Sequence, residues 1–411
     1  MAKARENKNM IVGLDIGTSK IVAIVAEILP EGRLEIVGIG QHTSRGMRKG
    51  MVVNIDSTVN AIQRALEEAE LMADCKISEV FTGIAGSHIK SINSHGMVAI
   101  KDKEVNQSDV DRVIETARAV IIPAEQQILH ILTQEFIIDG QEDVREPLGM
   151  SGVKLEVRVH IVTGAIAAAQ NIIKCVRRCG LEVLDLILQP LASSYAVLTE
   201  DEKYLGVCLV DIGGGTTDIA IFTNGAIRHT AVIPIAGDQI TNDIAMALRT
   251  PTLEAEDIKR RYGCALRQLA DPTAMIEVPG VGERGARQLS RQTLGEVIEP
   301  RVEELYTLVQ AELRRSGFEE MLRSGIVITG GSSDMQGMVE LGEEVFHLPV
   351  RLGCPNYQGG LAELVNSPRF STCYGLLLAG TEQYQRHQLN NLQTGSMAQI
   401  MNKMKSWFSN F

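Results

Sequence analysis

The sequence predicts an α/β protein of two similar lobes carrying inserted subdomains, with an amphipathic helix on a flexible linker at the C-terminal end. Three observations carry this reading. Two hairpins of one pattern stand half a chain apart, "MIVGLDIGTSKIVAIVAEI" and "GVCLVDIGGGTTDIAIFTNG"; each is an apolar strand ending in Asp-Ile-Gly, a turn of small residues and a second apolar strand. A length of 411 residues is enough for two or more domains with their own cores. The last fifteen residues place their apolar side chains at helical spacing, after a polar stretch with no periodicity.

The composition, 45% hydrophobic and 22% charged, is that of a folded protein. A formal net charge of −11 argues against general nucleic-acid binding. The seven cysteines form no CxxC pair, which points to a reducing compartment. Cys175 and Cys179, four apart on a helix, lack a second ligand pair, so no metal is expected there. The basic N-terminus leads into an apolar run that Asp15 interrupts, without a cleavage pattern, and no stretch approaches the ~18 apolar residues of a spanning helix. The expectation is a cytosolic protein.

The repeated hairpins have the chemistry of phosphate binding. Gly17, Gly213, Gly214 and Gly215 have no Cβ, so backbone N–H groups can approach an anion. Thr18, Ser19, Thr216 and Thr217 add hydroxyls. Asp15 and Asp211 suit Mg²⁺ through its water shell rather than phosphate itself. Facing each other, the two turns would clamp a polyphosphate. "DIGTSK" alone reads equally well as a plain tight turn; "DIGGGTTD" between apolar strands is more specific. "GVGERG" matches a dinucleotide-binding pattern but follows Pro279 and opens no long amphipathic helix, so it reads as a loop. No P-loop pattern occurs.

These residues resemble the actin/heat-shock-chaperone/sugar-kinase superfamily of ATPases. "DIGTSK" resembles its first phosphate motif, "LQPLASSYAVL" the first connecting helix and "DIGGGTTDIAI" the second phosphate motif. "IVITGGSSDMQGM" resembles the adenosine motif and "YGLLLAG" the second connecting helix. "PIAGDQITNDIAMAL" is similar to the segment after actin's second phosphate hairpin. The resemblance implies an actin-like (ribonuclease H-like) fold with ATP and Mg²⁺ as cofactors. It places Gly330, Gly331 and Ser332 at the adenosine, and Glu256 and Lys259, in an E-x-x-K pattern, at ribose and base. Gln189 takes the place of a water-orienting catalytic glutamine; a plain helix-start residue before Pro190 is the equal alternative.

"SRGM", "AELMADC", "LASSYAVLTEDE", "RQTLGEVIEPR" and "STCYGLLLAG" are similar to the FtsA family of bacterial cell-division proteins over essentially the full length. That resemblance implies a protein that polymerises and anchors FtsZ filaments to the inner face of the cytoplasmic membrane at the division site, with other division proteins as further partners and weak ATPase activity at most. It divides the chain into subdomain 1A (1–86 and 163–195), an inserted α+β subdomain 1C (87–162), subdomain 2A (196–226 and 303–374) and subdomain 2B (227–302). A connecting helix (375–380), a linker (381–396) and the terminal helix (397–411) follow. Within 87–162, "QSDVDRVIETARAV" reads as an amphipathic helix capped by Ser108. "KLEVRVHIV" alternates as a half-buried strand with Leu155, Val157, Val159 and Ile161 inward. His130 and His160 read as packing or surface residues. Pro300 is expected to end or kink a helix. The resemblance implies that 227–302 receives the FtsZ C-terminal peptide, with Arg287 and Arg301 gripping it; solvated surface arginines are the alternative. A sugar or metabolite kinase of the superfamily is the competing function. A chaperone ATPase would need a substrate domain that the residues after the second connecting helix are too few to form.

In the terminal segment Met397, Ile400, Met401, Met404, Trp407, Phe408 and Phe411 fall on one stripe about 120° wide, flanked by Lys403 and Lys405. A polar tether before it and Trp/Phe at its end point to a lipid surface, with the lysines reaching headgroups. One such helix binds weakly and reversibly; many on a polymer bind firmly.

Overall fold

A computed structural model describes residues 9–30, 32–282 and 285–385. Its centre is two five-stranded sheets. The first runs, in spatial order, Leu34–Thr43, Lys20–Ile28, Met10–Ile16, Glu79–Ile84 and Glu182–Leu188; the second runs Ala226–Ile233, Thr217–Thr223, Val207–Ile212, Ile326–Thr329 and Val350–Leu352. In both, the three strands first in sequence are antiparallel neighbours and the remaining two extend the sheet in parallel. Identical order and sense in two sheets is a duplication, and the repeated Asp-Ile-Gly hairpin is strands one and two of each lobe. These strands are near-continuous Val/Ile/Leu runs because both faces of each sheet are covered; every residue of Val207–Ile212 is buried.

The lobes differ in where they accept an insertion. In the first, a four-stranded sheet with helix Gln107–Arg118 enters between strands four and five. In the second, helices Gly237–Ala247 and Thr252–Tyr262 and the hairpin Met275–Val278/Arg287–Ser290 enter earlier, between strands three and four. The first insert has its own core of Val110, Val113, Leu155, Val157, Val159 and Ile161. Its helix is capped by Asn106, not Ser108: Asn106 Oδ1 accepts from the Asp109 N–H at 3.1 Å and Asp109 Oδ2 accepts from the Asn106 N–H at 3.2 Å.

Strand Lys154–Ala165 alternates as the sequence predicts only as far as Val159; from His160 to Gly164 both faces are buried. The reason is a polar seam with the second lobe. Ser91 Oγ donates to the Thr230 carbonyl (3.1 Å), Asn93 Nδ2 to that of Arg228 (3.2 Å), Gln134 Nε2 to that of Ile227 (2.9 Å) and Arg145 Nη2 to that of Asn224 (2.9 Å). His160, 1% exposed, pairs its two ring nitrogens with Asn93 Oδ1 (2.7 Å) and Thr230 Oγ1 (3.0 Å). Ala226–Ile233 is a sheet edge, and the insert satisfies its carbonyls with side chains instead of another strand. His130 is a packing residue too, accepting from the Leu188 N–H at 2.9 Å.

Helix Gln189–Val197 leads from the first lobe to the second, and residues 371–385 form the returning helix. The latter reaches into the stretch read as linker, since Gln383 Nε2 donates to Asp185 Oδ2 at 2.6 Å and Thr381 Oγ1 to the Leu377 carbonyl at 2.8 Å. The rest of that stretch, and the expected helix 397–411, lie outside the described residues. Pro300 does not end its helix. Arg291–Ser316 is continuous for 26 residues, because Leu294, Ile298, Val302, Leu305 and Tyr306 bury on both sides of the proline and outweigh one lost hydrogen bond. Among the described residues no helix is long and apolar enough to cross a membrane.

Candidate functional site

Both Asp-Ile-Gly turns line a cleft of about 1210 Å³ between the lobes. The turns have the same build: the Gly17 N–H donates to the Lys20 carbonyl and the Gly213 N–H to that of Thr216, each at 3.0 Å. They are in contact across the cleft. A Cβ on Gly214 would lie 1.8 Å from Ser19 Oγ, and one on Gly215 2.7 Å from Thr18 Oγ1, so side chains at these positions would force the turns apart.

Buried carboxylates lie behind the turns. Asp15, next to last in its strand, accepts from Gln189 Nε2 at 3.0 Å; Asp211 accepts from Ser193 Oγ at 2.6 Å and Thr372 Oγ1 at 3.3 Å. Asp218 accepts from Thr216 Oγ1 at 3.0 Å, while its other oxygen is buried without a partner. Burial pushes Asp15 up to about 6 and Asp218 up to about 8, helped in both by the charge of Asp211, and it raises Asp211 itself. Lys20 is the part-buried cation beside them; it donates to the Arg369 carbonyl, and desolvation brings it down to about 8. Three buried carboxyls, one with an orphaned oxygen, stand against a single ammonium, an excess of negative charge that suits a cation reached through its water shell; among the described residues no three acidic, His or Cys side chains converge to cage an ion directly.

One wall toward the second lobe carries the expected adenosine residues. Ser332 Oγ donates to the Gly213 carbonyl at 2.8 Å. Lys259 Nζ donates to the Gly237 carbonyl (3.0 Å), contacts Thr241 Oγ1 (2.8 Å) and pairs with Glu256 (2.7 Å). Gly330, at φ +89°, leaves room for Asp211, since a Cβ there would meet Asp211 Oδ1 at 2.4 Å. Gly331 also lines this wall. Asp238 closes the ring by accepting from Ser19 Oγ at 3.2 Å.

Thr217 is the exception among the expected cleft residues. It is fully buried and its hydroxyl donates to the Ile235 carbonyl at 2.8 Å, because alternate residues of a strand point to opposite faces and Thr216 takes the cleft side. Lys20, Asp218, Asp238, Ser193 and Thr372 join the site without having been singled out in the sequence. Arg287 and Arg301 lie outside the cleft lining, beside helix Gly237–Ala247. Arg287 donates to the Leu248 carbonyl; Arg301 pairs with Asp243 (2.5 Å) and with Glu304.

Residues 208–375 match the family model described as "Cell division protein FtsA", and residues 86–163 that described as "SHS2 domain inserted in FTSA". The chain is similar to the cell division protein FtsA of Pseudomonas aeruginosa, 62% identical over 414 residues covering 99% of each. Its similarity to that of Escherichia coli K12 is 47% over 416 residues, again 99% of each. Of solved structures, it resembles the PilM–PilN type IV pilus biogenesis complex (TM-score 0.64, 18% identity, 90% of this chain and 98% of that one). It also resembles MreB5 of Spiroplasma citri bound to AMPPNP (TM-score 0.56, 14% identity, 95% and 100%). The fold of the two duplicated lobes is actin-like.

Proposed function

The chain belongs to the FtsA family of cell-division proteins, and on that premise we propose that it binds ATP with Mg²⁺, polymerises, and anchors FtsZ filaments to the inner face of the cytoplasmic membrane. The observation that carries the nucleotide part is the pair of turns meeting over buried carboxylates. The backbone N–H groups of Gly214 and Gly215 and the hydroxyls of Thr18, Ser19 and Thr216 would cradle the phosphates, while those of Gly17 and Gly213 close the turns that present them. Asp15 and Asp211, with Asp218 behind them, would hold Mg²⁺, which supplies charge neutralisation to the phosphates when bound. Gln189, fixed by its bond to Asp15, is the residue suited to orienting a water for slow hydrolysis. Nucleotide touching both lobes favours the closed arrangement and, through it, the polymer.

The subdomain bearing Arg287 and Arg301 is our candidate for the FtsZ C-terminal peptide. Residues 397–411 are our candidate for the lipid contact. A metabolite kinase would instead consume ATP when given its sugar and would make no use of the terminal stripe. Calorimetric titration with Mg-ATP tests the cleft: wild type binds, and Asp211→Ala weakens binding. Equal affinity of the two proteins would overturn the phosphate-clamp reading.

A further inference from the structure

At one end of the cleft lies the segment "SRGMRKG", Ser44–Gly50. Met47–Arg48 pairs with Met51–Val52, and the turn between them has positive φ at Lys49 (49°) and Gly50 (74°), as a two-residue I′ hairpin requires. A Cβ on Gly50 would lie 2.7 Å from the Gly86 Cα, so the turn is seated directly on backbone. It reaches both phosphate turns. The Gly50 N–H donates to Thr18 Oγ1 at 3.1 Å, and the Lys49 nitrogen sits 2.9 Å from where a Gly215 Cβ would be.

The second hairpin gives this arrangement a direction. Gly213 faces Ser332 and Gly237 on the adenosine side, Gly214 faces Ser19, and Gly215 faces Thr18 and Lys49. A polyphosphate laid along the turn from the adenosine wall therefore ends at the basic segment. Ser44 starts that segment: its N–H donates to the Ser19 carbonyl at 3.0 Å, and its hydroxyl, 8% exposed and in the cleft lining, has no hydrogen-bond partner. Arg45 lines the cleft beside it and, among the described residues, forms no ion pair. The cleft's two lysines are already engaged, Lys20 by the Arg369 carbonyl and Lys259 by Glu256.

Building on the nucleotide reading above, we propose that Ser44 and Arg45 bind the terminal phosphate of a nucleoside triphosphate and so set the preference for tri- over diphosphate. The hydroxyl supplies a preplaced donor and the exposed guanidinium a charge not spent on an ion pair, so each phosphate added to the chain along the turn gains more from them.

Calorimetric titration of the full chain with Mg-AMPPNP and with Mg-ADP tests this. Arg45→Gln is expected to weaken AMPPNP about tenfold, with ADP changed less than about twofold. Ser44→Ala, which removes a hydroxyl that bonds nothing in the fold, is expected to act in the same direction. Arg48→Gln, exposed and outside the cleft lining, is expected to change neither ligand. An AMPPNP-to-ADP ratio unchanged in Arg45→Gln and Ser44→Ala overturns the terminal-phosphate assignment alone. Wild type binding neither nucleotide would overturn the cleft reading on which it rests.

Discussion

Gly375 on the returning helix meets the Ala192 carbonyl of the outgoing helix so closely that a Cβ at residue 375 would lie 1.8 Å from that oxygen. The two helices joining the lobes thus cross backbone to backbone. Gly375→Ala must push them apart and is expected to cost about 1–3 kcal/mol in urea unfolding. Gly360→Ala, with nothing within 4 Å of its Cβ position, is the control and should stay within about 0.5 kcal/mol of wild type. Equal stability of the two variants would mean the crossing has slack.

Asp218 links the cleft to pH. With its carboxyl pushed up to about 8, the folded protein keeps a proton between about pH 4 and 8 that the unfolded chain has released. Stability of the nucleotide-free protein is therefore lost as pH rises through that window. Asp218→Asn should raise the nucleotide-free Tm at pH 7.5 and flatten this slope, while weakening the stabilisation given by Mg-ATP. Thermal scans at several pH values, with and without Mg-ATP, check both halves.

His160 acts in the opposite sense. Burial holds its imidazole down at about 4, against an ordinary 6.5, so the unfolded chain binds the extra proton between these values. Stability is lost as pH falls from about 6.5 to 4. The ionisable groups about the seam include Arg145, which bonds the Asn224 carbonyl, His229, whose ring contacts Glu312, and Glu135, which pairs with Arg158 and Arg228. His160→Gln should reduce the steepness of the acid limb in pH-dependent unfolding; an identical limb would place the responsible group elsewhere.

Arg287→Glu and Arg301→Glu are expected to lower affinity for the FtsZ C-terminal peptide and leave ATP binding intact. Arg301→Gln separates peptide contact from simple crowding with Asp243 and Glu304, since it adds no third carboxylate. Fluorescence titration of labelled peptide reads the effect, and wild-type affinity in all three moves the partner site.

Trp407 is the only tryptophan, so its emission reports on the terminal segment alone. Anionic vesicles should shift it to the blue, and Phe408→Glu should abolish vesicle binding by placing a charge inside the apolar stripe. Emission already blue without lipid, and unmoved by it, would mean that the segment packs on its own protein.

The duplicated lobes were legible because a strand–turn–strand pattern with matching glycines is local. The cleft's glycines and Asp15 and Asp211 followed from the same motif. Asp218 stood in the same quoted run, "DIGGGTTD", but its importance comes from burial beside Asp211, which one strand cannot reveal. Thr217 was misjudged because composition does not say which of two adjacent threonines a strand turns inward. Pro300 was expected to end or kink its helix; the helix does not end there, because buried side chains on both sides of the proline carry it through. The seam at His160 was invisible, since its partners come from another lobe.

That seam gives the molecule the mechanics of a braced frame. Lobe one joins the inserted domain through continuous chain, the inserted domain joins lobe two through side chains on the carbonyls of residues 224–230, and the crossed helices join the lobes to each other. A three-jointed frame cannot flex at one joint without slip at another. The helix crossing has no room to give, and each bond of the seam contributes only about 1 kcal/mol, so the seam yields first. Any relative rotation of the lobes would therefore load the contacts between the inserted domain and the edge strand Ala226–Ile233 before it loads the helix crossing.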